Sequence, residues 1–174
     1  VASAVRGKTL KITGRKPHRQ VMEIRIARES DIPALVEFNQ AMALETEHKT
    51  LDEGVLTAGV SAVFGDGSKG FYVVTDVEGT VAAGLMVTTE WSDWRNGWFW
   101  WIQSVYVRPE HRGGGLYGQM YEFVKTKADA AGNVCGFRLY VEKENEKAQR
   151  VYERLGMEET YYLMYEEEMK NRST

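Results

Sequence analysis

The segment 105–118 most constrains how this chain can fold, because it predicts a strand, a glycine-rich turn and a helix in direct succession. Residues 105–107 alternate β-branched and aromatic side chains, which is typical of the end of a strand. Pro109 then removes a backbone donor that a continuing strand would need. Three consecutive glycines follow Arg112, and an apolar repeat with helical spacing begins at Leu116. The pattern therefore predicts a glycine turn at a strand-to-helix junction.

A turn of this kind is suited to binding an anion. The first backbone N–H groups of a helix have no partner within the helix and point to one place. The helix N-terminus favours negative charge, and glycine lets the backbone approach a phosphate closely. An ordinary glycine-rich turn without a ligand has the same local pattern. Taken alone, this motif leaves both interpretations open.

A second motif lies on the last predicted helix, over residues 145–157, with Asn145, Ala148, Tyr152 and Gly156. Together the two segments resemble the acyl-CoA motifs of the GNAT superfamily of N-acetyltransferases. The first family motif is Arg or Gln, two residues, Gly, one residue, then Gly or Ala, at a strand–turn–helix junction. The second is Asn, Ala, Tyr and a terminal Gly on the last helix. One predicted strand separates them here, as the family requires.

The resemblance extends over residues 22–165 in element order and implies an α/β (α+β) fold. Strand patterns occur at 23–28, 71–75, 81–91, 98–107, 136–141 and 157–165, and helical patterns at 32–44, 52–64, 114–131 and 145–155. Asp31 is expected to cap the first helix, Gly84 to mark a bulge, and Asn96-Gly97 to close a hairpin. We expect a mixed, mostly antiparallel central sheet of six to seven strands flanked by about four helices. Parallel and antiparallel pairings should meet near Val105, where diverging strands leave a crevice for a ligand.

The charge distribution separates the start of the chain from the rest. Six of the 22 basic residues and none of the 25 acidic residues lie within positions 1–22, which leaves the remainder with a net charge of about −9. We expect residues 1–21 to be a basic, disordered extension and residues 22–174 to form a single domain. An acidic body suits a cationic substrate and is a poor nucleic-acid binder. A targeting arm or a nucleic-acid-binding arm at the start stays an alternative.

Composition excludes several other classes of protein. No apolar run approaches the roughly 20 residues that span a bilayer, so no membrane association is expected. The single cysteine, Cys135, rules out an intramolecular disulfide and fits a reducing compartment such as the cytoplasm. None of the three histidines has a Cys or His at metal-ligand spacing, so no metal is expected.

The resemblance also implies an activity. In the GNAT family an amine attacks the acetyl thioester directly in a ternary complex, without a covalent acyl-enzyme. The chain is therefore expected to transfer an acetyl group from acetyl-CoA to a primary amine of a small molecule. A non-catalytic module that binds acyl-CoA as a sensor or partner domain carries the same motifs and stays open. The resemblance also favours a homodimer.

By resemblance, the cofactor site consists of the strand end, the turn and one residue of the last helix: Val105, Tyr106, Val107, Arg112, Gly113, Gly114, Gly115, Leu116, Tyr117, Gly118 and Asn145. Backbone N–H groups near Val105 would polarise the thioester carbonyl, and those of the turn would face the pyrophosphate. Arg112 either contacts phosphate or holds the turn. Asn145 contacts the pantetheine arm, caps its helix, or does both. Tyr117 departs from the family motif, which has Gly or Ala there.

Two residues are assigned to the chemistry. Tyr152 matches the family tyrosine that protonates the departing thiolate, although a packing role fits the same position. No motif fixes the general base. Glu90 is the assigned candidate, with Glu45, Glu47 and a water-positioning Gln103 as alternatives. All five tryptophans lie within residues 91–101, either for packing or as an aromatic wall that favours an ammonium group beside nearby acids.

Overall fold

The computed structural model describes residues 21–167 and residue 169, so nearly all of the predicted basic extension lies outside the described residues. The strands are β1 (Met22–Ile26), β2 (Phe71–Val77), β3 (Thr80–Ser92), β4 (Gly97–Val107) and β5 (Val134–Arg138), and the helices are α1 (Ile32–Glu47), α2 (Glu53–Gly65), α3 (Leu116–Ala131) and α4 (Glu146–Arg154). None of the described helices combines the length and the apolar character needed to cross a membrane. The division into an extension and one domain stays a prediction.

One mixed sheet carries the fold, with its strands in sequence order from β1 to β5. Strands β1 to β4 pair antiparallel, and β5 pairs parallel to β4. The hairpin predicted at Asn96-Gly97 is confirmed: β4 begins at Gly97, and Asn96 has a φ of 48°, in the left-handed region that such turns use. Because β5 runs parallel to β4, the chain must cross over between them, and α3 makes that crossover.

The sheet has five strands in the described residues, not the predicted six to seven. The predicted last strand, 157–165, does not form. The side chains of residues 161–165 are 61 to 103 % exposed, although the run Tyr-Tyr-Leu-Met-Tyr has a high β propensity. Such propensity mainly reflects packing on a half-buried pleated surface, and this segment has no such surface beside it. The expected homodimer stays a prediction.

Helices cover both faces of the sheet. Because alternate side chains point to opposite faces, Val73 joins the core beneath α3, with Met120 and Val124, whereas Val74 joins the core beneath α1 and α2. Gly84 lets α1 lie directly on the sheet, since a Cβ there would be 3.1 Å from a Leu35 methyl group. The register of β3 and β4 does shift beside Gly84, but the extra residue lies on β4.

Asp31 anchors β1 to the start of α1. It occupies the predicted N-cap position, but its carboxylate accepts no N–H from α1. Instead it accepts hydrogen bonds from the Arg25 guanidinium at 2.6 and 3.0 Å and from the Arg28 N–H at 2.7 Å. The Asp31 side chain is only 6 % exposed, and the hydrogen bond from Arg25 lowers its pKa.

Replacing this carboxylate should destabilise the fold in a pH-dependent way. We expect Asp31→Asn to lower the free energy of unfolding by about 2 kcal/mol at pH 7, because the Arg25 charge loses its main partner. The folded state lowers the pKa of Asp31, so the stability that its carboxylate contributes is fully present above the unfolded-state pKa of about 4. That stability is lost as the pH falls through the folded-state pKa. Urea unfolding at pH 7 and pH 3 measures both effects. Glu146→Gln is the control: its pair with Arg150 is exposed and should contribute less than about 0.5 kcal/mol.

Candidate active site

The sheet opens into a fork between β4 and β5. The two strands pair from Trp98 as far as Trp101 and Arg138, and β5 ends there. β4 continues for six more residues, 102–107, with a strand partner on the β3 side alone. Backbone polar groups on the other edge of this stretch are therefore free of strand pairing. The parallel and antiparallel pairings meet over residues 98–101 rather than near Val105, and Val105 lies four residues further along β4, in the open stretch.

A β-bulge lies inside this open stretch. Ser104 and Val105 together oppose the single residue Leu85, because the register passes from Met86 opposite Gln103 to Gly84 opposite Tyr106. Ser104 has a φ of 49°, a conformation that non-glycine residues seldom adopt and that recurs at functional sites. The bulge turns backbone groups out of the regular ladder. The bulge includes Val105, near which the N–H groups that polarise the thioester carbonyl are expected.

The glycine turn presents a row of free backbone donors. Gly113 and Gly115 have φ values of 83° and 75°, which only glycine adopts without strain. Among the described residues, the N–H groups of residues 113 to 118 donate to no protein atom. The next one, that of Gln119, donates to the Gly115 carbonyl at 3.2 Å. A Cβ built on either Gly113 or Gly115 would meet nothing within 4 Å. Six N–H groups at the N-terminus of α3, those of residues 113 to 118, thus have no hydrogen-bond partner among the described residues, which fits a pyrophosphate.

Arg112 holds this turn in place. Its Nε donates to the Val107 carbonyl at 2.8 Å, and its guanidinium donates to Glu45 on α1 at 2.9 Å. Glu45 also accepts from the buried Tyr106 hydroxyl at 3.0 Å, and the Arg112 guanidinium stacks over the Tyr106 ring. These contacts fix the turn, which is one of the two roles expected of Arg112; the phosphate contact stays a prediction. Glu45, a candidate base, is occupied by this network.

The second motif packs beside the first. The Tyr152 ring meets the Tyr117 ring edge-on, with centroids 5.5 Å apart, and burial raises the pKa of the Tyr152 hydroxyl. Asn145 caps α4, since its Oδ1 accepts from the Ala148 N–H at 3.1 Å. A Cβ on Gly118 would lie 3.5 Å from a Leu155 methyl group, so α3 and α4 are in close contact. The two motifs, about 30 residues apart in sequence, therefore lie side by side.

Glu90 lies at the closed end of the fork. Its carboxylate accepts hydrogen bonds from the Trp101 indole at 2.5 Å and from Arg138 at 2.8 Å. The hydrogen bond from Trp101, assisted by Arg138, lowers the Glu90 pKa. Gln103 lies two residues, roughly 7 Å, beyond Trp101 on β4. Its side-chain amide donates to the Thr88 hydroxyl. Glu47, by contrast, pairs with Lys49 and is half exposed.

The tryptophans do not form one wall. Trp98 and Trp100 pack on the α3 face, Trp94 is 86 % exposed on the hairpin loop, and Trp101 lies on the opposite face beside Glu90. The side-chain alternation of β4 separates Trp101 from Trp98 and Trp100, whereas Trp94 lies in the loop before β4. Arg138 was not predicted; its guanidinium stacks 3.7 Å from the Phe99 ring centroid.

Ser104 was not predicted either, because a serine within a strand has no signal in propensity or periodicity.

Among the described residues no group of three or more His, Cys, Asp or Glu side chains could hold a metal ion.

Comparison with known proteins agrees with this geometry. A model of the Acetyltransferase (GNAT) family matches residues 34–157. The crystal structure of a possible acetyltransferase from Clostridium difficile 630 is 49 % identical, with a TM-score of 0.80, over 86 % of this chain and 99 % of that one. A search of curated proteins found no match.

Two more distant structures share the fold. A predicted acetyltransferase with acetyl-CoA from Clostridium acetobutylicum has 18 % identity and a TM-score of 0.70, over 84 % of this chain and 96 % of that one. Glucosamine-6-phosphate N-acetyltransferase from Arabidopsis thaliana has 20 % identity and a TM-score of 0.67, over 84 % and 98 % of the two chains. With the family model covering most of the chain, this protein belongs to the GNAT family of acetyltransferases.

Proposed function

We propose that this protein is an N-acetyltransferase that moves the acetyl group of acetyl-CoA to a primary amine of a small molecule. One observation carries the proposal: the row of free N–H groups from Gly113 to Gly118 adjoins the open, bulged edge of β4. The first feature suits a pyrophosphate and the second a thioester carbonyl. The fold shared with a glucosamine-6-phosphate N-acetyltransferase supports an amine as the acceptor.

The reaction needs the chain to stabilise an oxyanion, to protonate the departing thiolate and to take up the amine proton. The acceptor nitrogen bonds to the thioester carbon, the carbon–sulfur bond breaks, and the amine proton leaves. Backbone N–H groups near Val105 would stabilise the oxyanion. Tyr152 would protonate the departing thiolate, and its raised pKa keeps the proton in place at neutral pH.

The amine proton is assigned to Glu90. This carboxylate is ionised at neutral pH and can take up a proton, but the hydrogen bonds that lower its pKa also make it a weaker base than a free carboxylate. Because Trp101 and Arg138 already occupy it, we propose that the proton reaches Glu90 through water held near Gln103. The acidic body of the chain supports a cationic small molecule as the substrate. The single cysteine supports the cytoplasm as the location.

Two measurements on the full chain test the proposal. Titration calorimetry with acetyl-CoA should show saturable binding. Release of free CoA thiol should then depend on at least one member of an amine panel: polyamines, amino acids, amine-bearing drugs and peptide N-termini. Absence of acetyl-CoA binding would refute the proposal. Binding without amine-dependent release across the panel would instead support the non-catalytic acyl-CoA-binding module.

A further inference from the structure

Arg138 is the last residue of β5 and lies at the point where β4 and β5 separate. Its guanidinium carbon is 3.7 Å from the centroid of the Phe99 ring and 5.8 Å from that of Trp101, the residue directly opposite on β4. These ring contacts hold the guanidinium on the face of the sheet that carries Glu90. The side chain is nevertheless 32 % exposed, so a ligand that enters the fork from this face can reach it.

The Arg138 guanidinium keeps most of its hydrogen-bonding capacity. Its Nη1 donates to Glu90 at 2.8 Å, whereas neither Nε nor Nη2 donates to any described residue. Arg108 shows the contrast, because its Nη1 and Nη2 both donate to Glu37, at 2.7 and 2.8 Å, and its Nε donates to the Val81 carbonyl. Arg138 therefore has an edge of N–H groups left over, and such an edge matches two oxygens of a carboxylate or a phosphate.

Glu90 links this edge to the reacting nitrogen. The carboxylate proposed to take up the amine proton is in contact with Arg138 and is 44 % exposed. A carboxylate has about four lone-pair sites, so the hydrogen bonds from Trp101 and Arg138 leave room for a water or an ammonium group. An acceptor whose nitrogen lies within reach of Glu90 therefore has the Arg138 guanidinium only a few atoms from that nitrogen.

We propose that Arg138 binds an anionic group of the acceptor, so that the acceptor is a small amine with a carboxylate or a phosphate close to its nitrogen. This inference rests on the proposed function and narrows its substrate to amines that carry both charges. The acidic body of the chain attracts the ammonium group from a distance, but salt screens that attraction beyond about 8–10 Å. The carboxylate and the guanidinium at the site then set the preference between amines.

Matched pairs of substrates test the inference in the wild-type protein. Each amino acid of a panel is assayed beside its carboxamide, and each amino alcohol or amino sugar beside its phosphate ester, by release of free CoA thiol. We expect kcat/KM to be about 10- to 100-fold higher for the anionic member, the size of a charge-assisted hydrogen bond. The kind of pair that shows this ratio identifies the group as a carboxylate or a phosphate. A ratio below about 3-fold in both kinds of pair would overturn the inference and leave the proposed function standing.

The Arg138→Gln variant should abolish the preference. Glutamine loses the charge and the planar edge, so the ratio of kcat/KM within the preferred pair should fall to below about 3-fold, mainly through a higher KM for the anionic member. Arg138→Lys keeps the charge without the edge and should give an intermediate ratio. If Arg138 only supported the fold, Arg138→Gln would slow both members of the pair alike and leave the ratio unchanged, which contradicts the inference.

Arg95→Gln is the matched control. Arg95 stacks on the same Phe99 ring, at 5.1 Å, but lies in the turn between β3 and β4, at the far end of the pairing from the fork. Its replacement should leave the substrate ratio as in wild type, and an equal loss of preference in this variant would refute the assignment to Arg138. If the wild-type protein released no CoA thiol with any member of any pair, the proposed function itself would fall.

Discussion

The Tyr152→Phe variant is expected to lower kcat by about 100-fold or more while the affinity for acetyl-CoA changes less than 2-fold. General acid catalysis by a positioned side chain contributes about 10²–10⁴-fold. Phenylalanine keeps the edge-on contact with Tyr117 and removes only the proton that the leaving thiolate needs. Release of free CoA thiol at saturating amine gives kcat, and calorimetry gives the affinity.

The pH profile distinguishes an acid from a packing residue. Burial raises the Tyr152 pKa above its ordinary value near 10, so the side chain stays protonated through neutral pH. Activity that needs this proton is lost only as the pH rises through the raised pKa, and the phenylalanine variant should lack that alkaline decline. Tyr121→Phe, in the same aromatic group, should keep both kcat and the profile of wild type. An unchanged kcat in Tyr152→Phe would remove Tyr152 from the acid role.

The parts of this site that could be predicted are local in sequence. The strand end, the three glycines and the helix that follows are one continuous segment, and each has its own residue preference. The cap at Asn145 is likewise local, because its Oδ1 accepts from the N–H of Ala148, only three residues later. Such features need no knowledge of how distant segments meet.

The parts that could not be predicted depend on distant segments. Arg112 bonds Glu45, 67 residues earlier, and Arg138 bonds Glu90, 48 residues earlier. The first pair exists because α1 lies on the sheet, and the second because β5 pairs with β4. Neither hydrophobic periodicity nor motif spacing predicts those contacts. The predicted sixth strand failed for the same reason: residues 161–165 have the composition of a strand, but a strand needs a neighbour to pair with.

Replacing Gly115 by valine should weaken acetyl-CoA binding by about 100-fold or more and destabilise the protein by about 1–2 kcal/mol. The destabilisation follows from the φ of 75° at Gly115, which costs a residue with a Cβ roughly 1–2 kcal/mol. The loss of affinity follows from the open space at this position, because a β-branched side chain would occupy the region that the free N–H groups face. Calorimetry and urea unfolding measure the two effects separately.

A second substitution at Gly115 separates strain from obstruction. Asparagine tolerates the left-handed conformation better than most residues, so Gly115→Asn should keep most of the stability and still bind acetyl-CoA poorly. Gly59→Ala on α2 is the matched control, since its Cβ would meet nothing within 4 Å and its φ is not positive; it should add up to about 1 kcal/mol of stability and leave binding intact. Wild-type affinity in Gly115→Asn would show that the space before the turn holds no phosphate, because the asparagine side chain and the ligand would then occupy it together.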